Sequence, residues 1–529
     1  MIQIGTWCEA RKAMEIDRQV TRALRGGTTA MRAMGQILLP ADFRERQNPA
    51  DYQARLLRTT LTSLYDDALG HLVSRPFQRA VNVTGEPMPP TLERLEVDCD
   101  RMNTSLTEFA RLTFDDLVDT GLAITMVDRP DNRRRDEQGR VVVAEDGTPI
   151  RASLAEEIAQ DVRPYFVRIH PDRLISWKWT SDATGKRMLD WVQILEDGDN
   201  YDAHGQEIDT QRIRVWYRDG WELYQRTLPQ KTQRSSNTVQ ANADLISTAN
   251  QQALTTQADD DNAFVLIDQG THNLGEVPLR FRNVCPVGAD PLWARPPLRD
   301  LAWKNVEDWQ MASAESNNLH WHSYPALVIS GADSYDKEAA SSFAYGAGAL
   351  MVSSNPDFEA SLMETSGAAA KALADRRATI KAEAEAMGNA PLVRVGGPET
   401  ATGEMRDEQA SQSQAQAWVE ALEWLLYADY QLAAKWDGVE LPEDFDVAIF
   451  RDFGLPARQA TTLQALSLMR QRGDISRETM WRMAQEFRWL PADFDPVLEA
   501  ERVEAERDAM GGIFPGGPDL AAFGGDAGV

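Results

Sequence analysis

Cysteine is scarce in this 529-residue chain. Cys8, Cys99 and Cys285 are scattered, odd in number and include no CxxC pair. That argues against a disulfide framework or a thiolate metal site and fits a reducing compartment. Long apolar runs are missing as well. The longest are about five residues, as at 263–267, against the ~20 that a membrane-spanning helix needs. The N-terminal residues hold no basic segment followed by an apolar one, so no secretory leader is expected. Positive charge is in deficit: 55 Lys and Arg stand against 82 Asp and Glu, a formal charge of −27. Tight non-specific grip on nucleic acid comes from neutralising phosphates, and this balance disfavours it. A soluble, self-repelling surface is the plain reading.

Recognisable catalytic patterns are absent too. Gly185–Lys186 is no phosphate loop, because Thr180 stands where the first glycine belongs and Arg187 follows the lysine. Gly346-Ala-Gly348 is a lone fragment that reads as loop flexibility. No GxSxG, HExxH or EF-hand spacing occurs. His320 and His322 flank Trp321. On a helix, residues two apart point roughly 200° apart and cannot chelate one ion; on an extended segment they would share a face. Asp259–Asp261 reads as a solvated carboxylate run. Nothing supports catalysis, a bound metal or a cofactor.

What remains is ordinary globular composition, 43% apolar and 26% charged, with length enough for two to four domains. The pattern predicts an α+β fold. Residues 1–50 mix helical patches with Gly26–Gly27 and Pro40 and read as a peripheral arm. From Asp51, a possible N-cap, one strong helix is expected with Leu57, Leu61, Leu64, Ala68, Leu72 and Val73 on one face, stopped by Arg75–Pro76. Ser105 to Asp119 is amphipathic, Gly121 sits at the expected left-handed C-cap, and Leu122–Val127 reads as a buried strand. Residues 129–152 form a polar hairpin or loop. Strands follow at Tyr165–Ile169, Leu174–Trp179, Trp191–Leu195, Ile213–Tyr217 and Trp221–Tyr224, the last two joined by the hairpin signal Asp219–Gly220. The polar stretch 230–262 is a long loop or a helix exposed on most sides. Phe264–Ile267 and Val277–Phe281 close this part as strands.

The organising stretch is 296–438. A helix from Pro297, suited to a first turn, runs to His322 with Leu298, Leu301, Ala302, Trp309, Ala312, Ser316 and Leu319 on a packed face. A second, Ala368–Met387, is nearly half alanine, with Leu373, Ile380, Ala384 and Met387 on one stripe. About 45 residues between them read as a small α/β module. The basic residues Lys371, Arg376, Arg377 and Lys381 on the second rod are partly offset by Asp375, Glu383 and Glu385, so helix-surface salt bridges are their ordinary reading. Pro391–Val395 reads as a short strand, about Thr402–Lys435 as a long helix with Trp418, Leu422, Leu425, Leu426 and Leu432 apolar, and Glu443–Phe450 as an alternating strand. Helices follow at Ala457–Arg472, from Ser476 to Arg488, and at Asp495–Met510. Gly511–Val529 is a Gly-rich tail.

Three stretches carry a family resemblance. They are Tyr52-Gln-Ala-Arg55-Leu-Leu-Arg58-Thr running to Leu72-Val-Ser-Arg-Pro76-Phe77; Gly275-Glu-Val-Pro278-Leu-Arg-Phe281 with Pro297-Leu-Arg-Asp-Leu301-Ala-Trp-Lys-Asn305 and Tyr324-Pro-Ala-Leu-Val-Ile-Ser-Gly331; and Arg472-Gly-Asp-Ile-Ser476-Arg-Glu-Thr-Met-Trp481. In these, and in the order of its elements across most of 50–500, the chain resembles the portal proteins of tailed bacteriophages. The likeness is narrowest to a subgroup known only as a domain of unknown function.

The resemblance implies a ring of twelve copies at one capsid vertex of the virion, assembled in the host cytoplasm. Double-stranded DNA would pass through it during packaging and ejection. It implies a wing over 1–295 and 388–455, stem helices at 296–322 and 366–387, a clip at 323–365 and a helical crown at 456–510. A tunnel loop would lie at about 396–403, with Gly397, Pro398, Glu399, Thr400, Gly403 and Glu404. Lys371, Arg376, Arg377 and Lys381 become candidates for the channel face, and Asp333, Tyr335, Asp336 and Lys337 for the clip surface. Implied partners are the large terminase, a head–tail connector or adaptor protein, and the major capsid protein; no membrane and no sequence-specific DNA contact is implied. Two other readings compete: an oligomeric capsid or adaptor component that never encloses DNA, and a hydrolase whose lid is the helical part.

Overall fold

The computed structural model describes residues 2–130, 142, 144, 150, 162–182, 184–197, 210–227, 263–322, 326–330, 357, 359–363, 368–392, 413–451, 467–470, 472, 476, 479–481 and 502. The chain divides into two compact units, Met1–Arg451 and Asp452–Val529. In the second, Ser476 accepts from the Thr479 N–H at 3.0 Å, the N-cap its position suggests.

The first unit opens with α1 (Glu9–Arg25) and α2 (Gly27–Met34), and α1 is not a peripheral arm. Met14 lies in the main core cluster with Leu122, Ile124, Leu174, Val192 and Trp216. Its buried face was disguised because arginine shares it: Arg11 and Arg18 are each 1% exposed. Arg11 donates to the Leu174 carbonyl at 3.0 Å and to Glu15 at 2.7 Å, and Arg18 to the Pro171 carbonyl at 3.0 Å. Buried guanidinium groups are stable only when so paired.

After α3 (Phe43–Gln47) the single helix expected from Asp51 is two, α4 (Pro49–Arg58) and α5 (Leu64–Ser74). Pro49 opens α4, so Asp51 is inside it, and Leu57 is exposed. The break holds because tertiary partners take its backbone groups. Arg32 donates to the Leu57 and Thr59 carbonyls, Thr28 accepts from Leu61 N–H, and Asn305 accepts from Tyr65 N–H while donating to the Thr62 carbonyl.

Short elements β1 (Asn82–Thr84) and α6 (Pro90–Glu93) lead to α7 (Leu106–Thr120). Ser105 caps α7, and Gly121 ends it at φ +79°, where a Cβ would sit 2.3 Å from the Arg295 carbonyl oxygen. Only glycine fits there. The buried strand β2 (Leu122–Asp128) is the centre of a three-stranded antiparallel sheet with β3 (Tyr165–Arg168) on one side. A meander follows: β4 (Leu174–Ser181), β5 (Arg187–Asp197), β6 (Thr210–Tyr217), β7 (Gly220–Thr227) and β8 (Val265–Thr271), each pairing with the next. Gly185–Lys186 is part of the turn between β4 and β5, where Asp182 accepts from the N–H groups of Thr184 and Lys186. The hairpin expected between β6 and β7 forms, with Trp216 opposite Trp221, but its loop is Arg218–Asp219 and Gly220 opens β7. The strand β9 (Leu279–Asn283) completes the three-stranded sheet on the other side of β2. Leu122, Ile124 and Met126 face the core shared with the meander, while the alternate residue Thr125 meets the long helix near the end of the unit.

Among the described residues, three long helices and three short strands finish the unit. They are α8 (Arg299–His322), the antiparallel pair β10 (Ala326–Ser330) and β11 (Glu359–Met363), α9 (Ala368–Asn389), α10 (Gln414–Asp437) and β12 (Asp446–Ala448), which pairs with β1. Residues 390–392 form a 3-10 turn rather than the start of a strand. The strand expected over Glu443–Phe450 is only three residues long. Of the helix expected from Thr402, residues 402–412 lie outside the described ones; α10 begins at Gln414, where Ser413 is extended and its side chain and that of Gln416 close a capping box. Its predicted apolar face is fully buried, and Gly438 at φ +67° ends it.

Candidate functional site

The feature that the sequence pattern and the fold both single out is the pair α8 and α9. Twenty-four residues make α8 a rod of roughly 36 Å. In its first half one face is buried, with Leu301, Ala302, Val306 and Trp309 and the polar Asn305 and Asp308, while Asp300 and Trp303 are exposed; Ser313, just past the middle, is buried too. These polar groups serve the break between α4 and α5. Ser313 accepts from Arg55 at 3.0 Å and hydrogen-bonds Thr59 at 2.9 Å. Leu319, expected on the packed face, is half exposed. The helix runs through His322, so the extended geometry that would bring His320 and His322 onto one face does not occur.

The rod α9 returns antiparallel to α8, and ions tie the two together. Lys304 bridges Glu307 at 2.8 Å and Glu383 at 2.9 Å. Arg376 takes Glu307 at 2.5 Å and Glu383 at 3.6 Å. Arg377 donates to the fully buried Asp308 at 3.0 Å, to Glu315 at 2.5 Å and to the Thr62 hydroxyl at 3.3 Å. Arg376 and Arg377 are thus drawn toward the acids of α8. Lys371, exposed, and Lys381, half-buried, have no ion pair among the described residues.

Burial on α9 is confined to a narrow line. Ile380, Ala384 and Gly388 face inward, and a Cβ on Gly388 would lie 2.9 Å from that of Ala68, so glycine sets how closely α9 approaches α5. Met387, expected on the inner stripe, is 38% exposed. Ala372, Ala374, Ala378, Ala382 and Ala386 are all exposed. A helix this rich in alanine forms readily, and among the described residues its outer side stays exposed, the alanines alternating with Lys371, Asp375, Thr379 and Glu385.

A second concentration of charge lies where α1 meets α7 and the 171–173 turn. A cavity of about 340 Å³ is lined by Arg18, Arg22, Arg25, Asp119, His170 and Asp172 among others. Each guanidinium is paired. Arg22 bridges Glu15 and Asp172 at 2.8 Å, and Arg25 takes Asp115 at 2.8 Å and Asp119 at 3.2 Å. Burial raises the Asp172 carboxyl, but Arg22 and Arg18 outweigh it and hold the group well below the usual range. Burial pushes His170 down to about 4, so it is neutral, with Nδ1 accepting from Asp172 N–H. Asp116 is driven up to about 7 by burial, partly offset by Arg168. The arrangement is a lattice of ion pairs that pins α1 to the sheet. Its two hydroxyls are given to backbone carbonyls, Thr21 to Arg18 and Thr120 to Asp116 and Leu122, not to a base.

The tunnel-loop candidates Gly397, Pro398, Glu399, Thr400, Gly403 and Glu404 lie outside the described residues, as do the clip candidates Asp333, Tyr335, Asp336 and Lys337, the insert 230–262 and the tail 511–529. Sequence reasoning missed the ion lattice of α1 altogether; the i, i+4 spacing of Arg11 and Glu15 and of Arg18 and Arg22 was its one signal.

Among the described residues no helix is long and apolar enough to cross a membrane, and no group of His, Cys, Asp or Glu could hold a metal ion. No curated protein matches the chain. Solved structures similar to it include a chain of the virion of a native gene transfer agent particle (11% identity, 78% of this chain and 87% of that one, TM-score 0.37). Two others are chains of the neck of such particles. One is from the empty particle, computed with C6 symmetry (11%, 81% and 90%, TM-score 0.38). The other is from the native particle, computed with C12 symmetry (12%, 79% and 89%, TM-score 0.37). At these values the likeness carries no functional assignment. Residues 297–437, from the start of the first rod to the end of α10, match a family described as a domain of unknown function, DUF4055.

Proposed function

We propose that this chain is a portal-type subunit. Copies form a closed ring around an axial channel for double-stranded DNA at a capsid vertex, α8 and α9 forming the stem and the segment between them the clip. Twelve is the copy number this reading takes. The observation that carries it is the alanine-rich outer side of α9: the helix is ion-paired to α8 along one side, and among the described residues the other side, alanines with Lys371, Asp375 and Glu385 between them, is exposed. Closed cyclic symmetry buries such a surface against the neighbouring copy. The family match of 297–437 spans both rods, the segment between them and α10, which is the unit the reading needs.

The net charge supports a conduit over a clamp. A wall that let DNA slide would be harmed by strong phosphate binding, and a chain of −27 repels DNA more than it holds it. With Arg376 and Arg377 occupied by carboxylates, Lys371 and Lys381 are the stem cations left to touch a passing duplex. The clip, with Asp333, Tyr335, Asp336 and Lys337, is the proposed docking surface for the large terminase and later for a connector protein. The capsid protein would surround the wing, and Glu399 and Glu404 would sit in the loop that narrows the channel. The motor chemistry belongs to a partner.

Size-exclusion chromatography with light scattering, followed by negative-stain imaging, tests this. Rings with a central hole are expected. A well-folded species of only about 59 kDa at micromolar concentration, or shells and filaments in its place, overturns it.

A further inference from the structure

The start of α10 and the point where the chain leaves the first unit share one side chain. Gln416 completes the capping box by accepting from Ser413 N–H through Oε1 at 2.9 Å, while Ser413 Oγ accepts from Gln416 N–H at 3.3 Å. The other end of the same amide, Nε2, donates to the carbonyl of Arg451 at 3.0 Å. Two turns along α10, Glu423 is 5% exposed and accepts from Ile449 N–H at 2.7 Å and from Arg451 Nε at 3.1 Å. Arg451 is the last residue of the first unit.

We propose that Gln416 is a coupling residue, making the first turn of α10 and the chain exit at Arg451 one cooperative element. The physical reason is that one planar amide satisfies both ends. Its Oε1 takes an N–H that has no partner within the helix, and its Nε2 takes a carbonyl from a segment 35 residues away in sequence. Turning the amide to keep one bond loses the other. A partner that pulls the chain away at Arg451 therefore loosens the helix start, and whatever moves the chain entering at Ser413 frees the exit. The device follows from these bonds alone and does not require the ring.

Hydrogen exchange measured by mass spectrometry on the full chain tests it through two variants placed at opposite ends. Ser413→Ala touches only the entry side, and Glu423→Gln weakens only the hold on 449–451. Each is expected to raise exchange about threefold or more in both 413–420 and 447–451, with β5 and β6 unchanged. A rise confined to the altered end overturns the coupling. So does no change in either peptide, or a matching rise in β5 and β6, which makes the opening global. Should Glu423→Gln fail to fold, the response of 447–451 to Ser413→Ala decides alone.

Discussion

Arg377 on α9 donates at 3.0 Å to Asp308 on α8, a carboxylate with no exposed surface, and the same guanidinium reaches Thr62 in the break between α4 and α5. One residue thus fixes the pairing of the rods and joins them to the helices beneath. Removing it leaves a buried charge uncompensated, a loss of about 3–5 kcal/mol. Arg377→Ala is expected to lower the unfolding free energy in denaturant by an amount of that order, and Arg377→Lys to recover only part, since an ammonium cannot fork between Asp308 and Glu315. A loss below about 1 kcal/mol would show that the pair is no more than a surface bridge.

Close approach makes a second prediction. Gly388 leaves no room for a side chain against Ala68. Gly388→Val is expected to destabilise by about 1–3 kcal/mol through overpacking, and Ala68→Gly to restore part of that in the double variant. Denaturant midpoints of the four proteins measure the coupling; simple additivity would place the strain elsewhere.

Asp429 gives a pH dependence. It is fully buried in α10, accepts one hydrogen bond from Thr125 at 2.8 Å, and burial pushes its carboxyl up to about 7. A raised acid binds its proton more tightly folded than unfolded, so stability declines as pH rises from about 4 to 7, by up to about 1.4 kcal/mol per unit. Asp429→Asn keeps the acceptor and cannot ionise. Its midpoint relative to the natural protein should therefore climb from about pH 4 to 7 and level off above that, and a difference that stays flat contradicts the assignment.

Asp172 titrates with the opposite sign. Its carboxyl is held low by Arg22 and Arg18 against burial, so its stabilisation is present above the ordinary carboxylate value of about 3.9 and is lost as pH falls below it. Asp172→Asn should cost most near pH 6 and progressively less toward pH 3. Thermal midpoints across that range check this, and a cost that grows with acidity would refute it.

Much of the local structure was legible. The Ser105 cap and Gly121, the existence of the β6–β7 hairpin though with its loop one residue earlier than expected, and the apolar face of α10 follow from spacing and turn chemistry alone. The helix break at 59–63 was not legible, because Thr28, Arg32 and Asn305 stabilise it from distant parts of the chain. Nor was the burial of α1, since a face shared by Arg11, Glu15 and Arg18 carries no apolar period. At the candidate site the sequence placed both rods but not the direction of their cations.

The order of residues by itself determined the long helices, the strands that flank tight turns and the acidic surface, because propensity, period and formal charge are properties of neighbouring positions. Only the tertiary structure decided that Arg376 and Arg377 turn toward α8 and that, among the described residues, the alanines on the outer side of α9 stay exposed. Which side of a rod is free depends on where carboxylates far along the chain come to lie, and no local pattern encodes that.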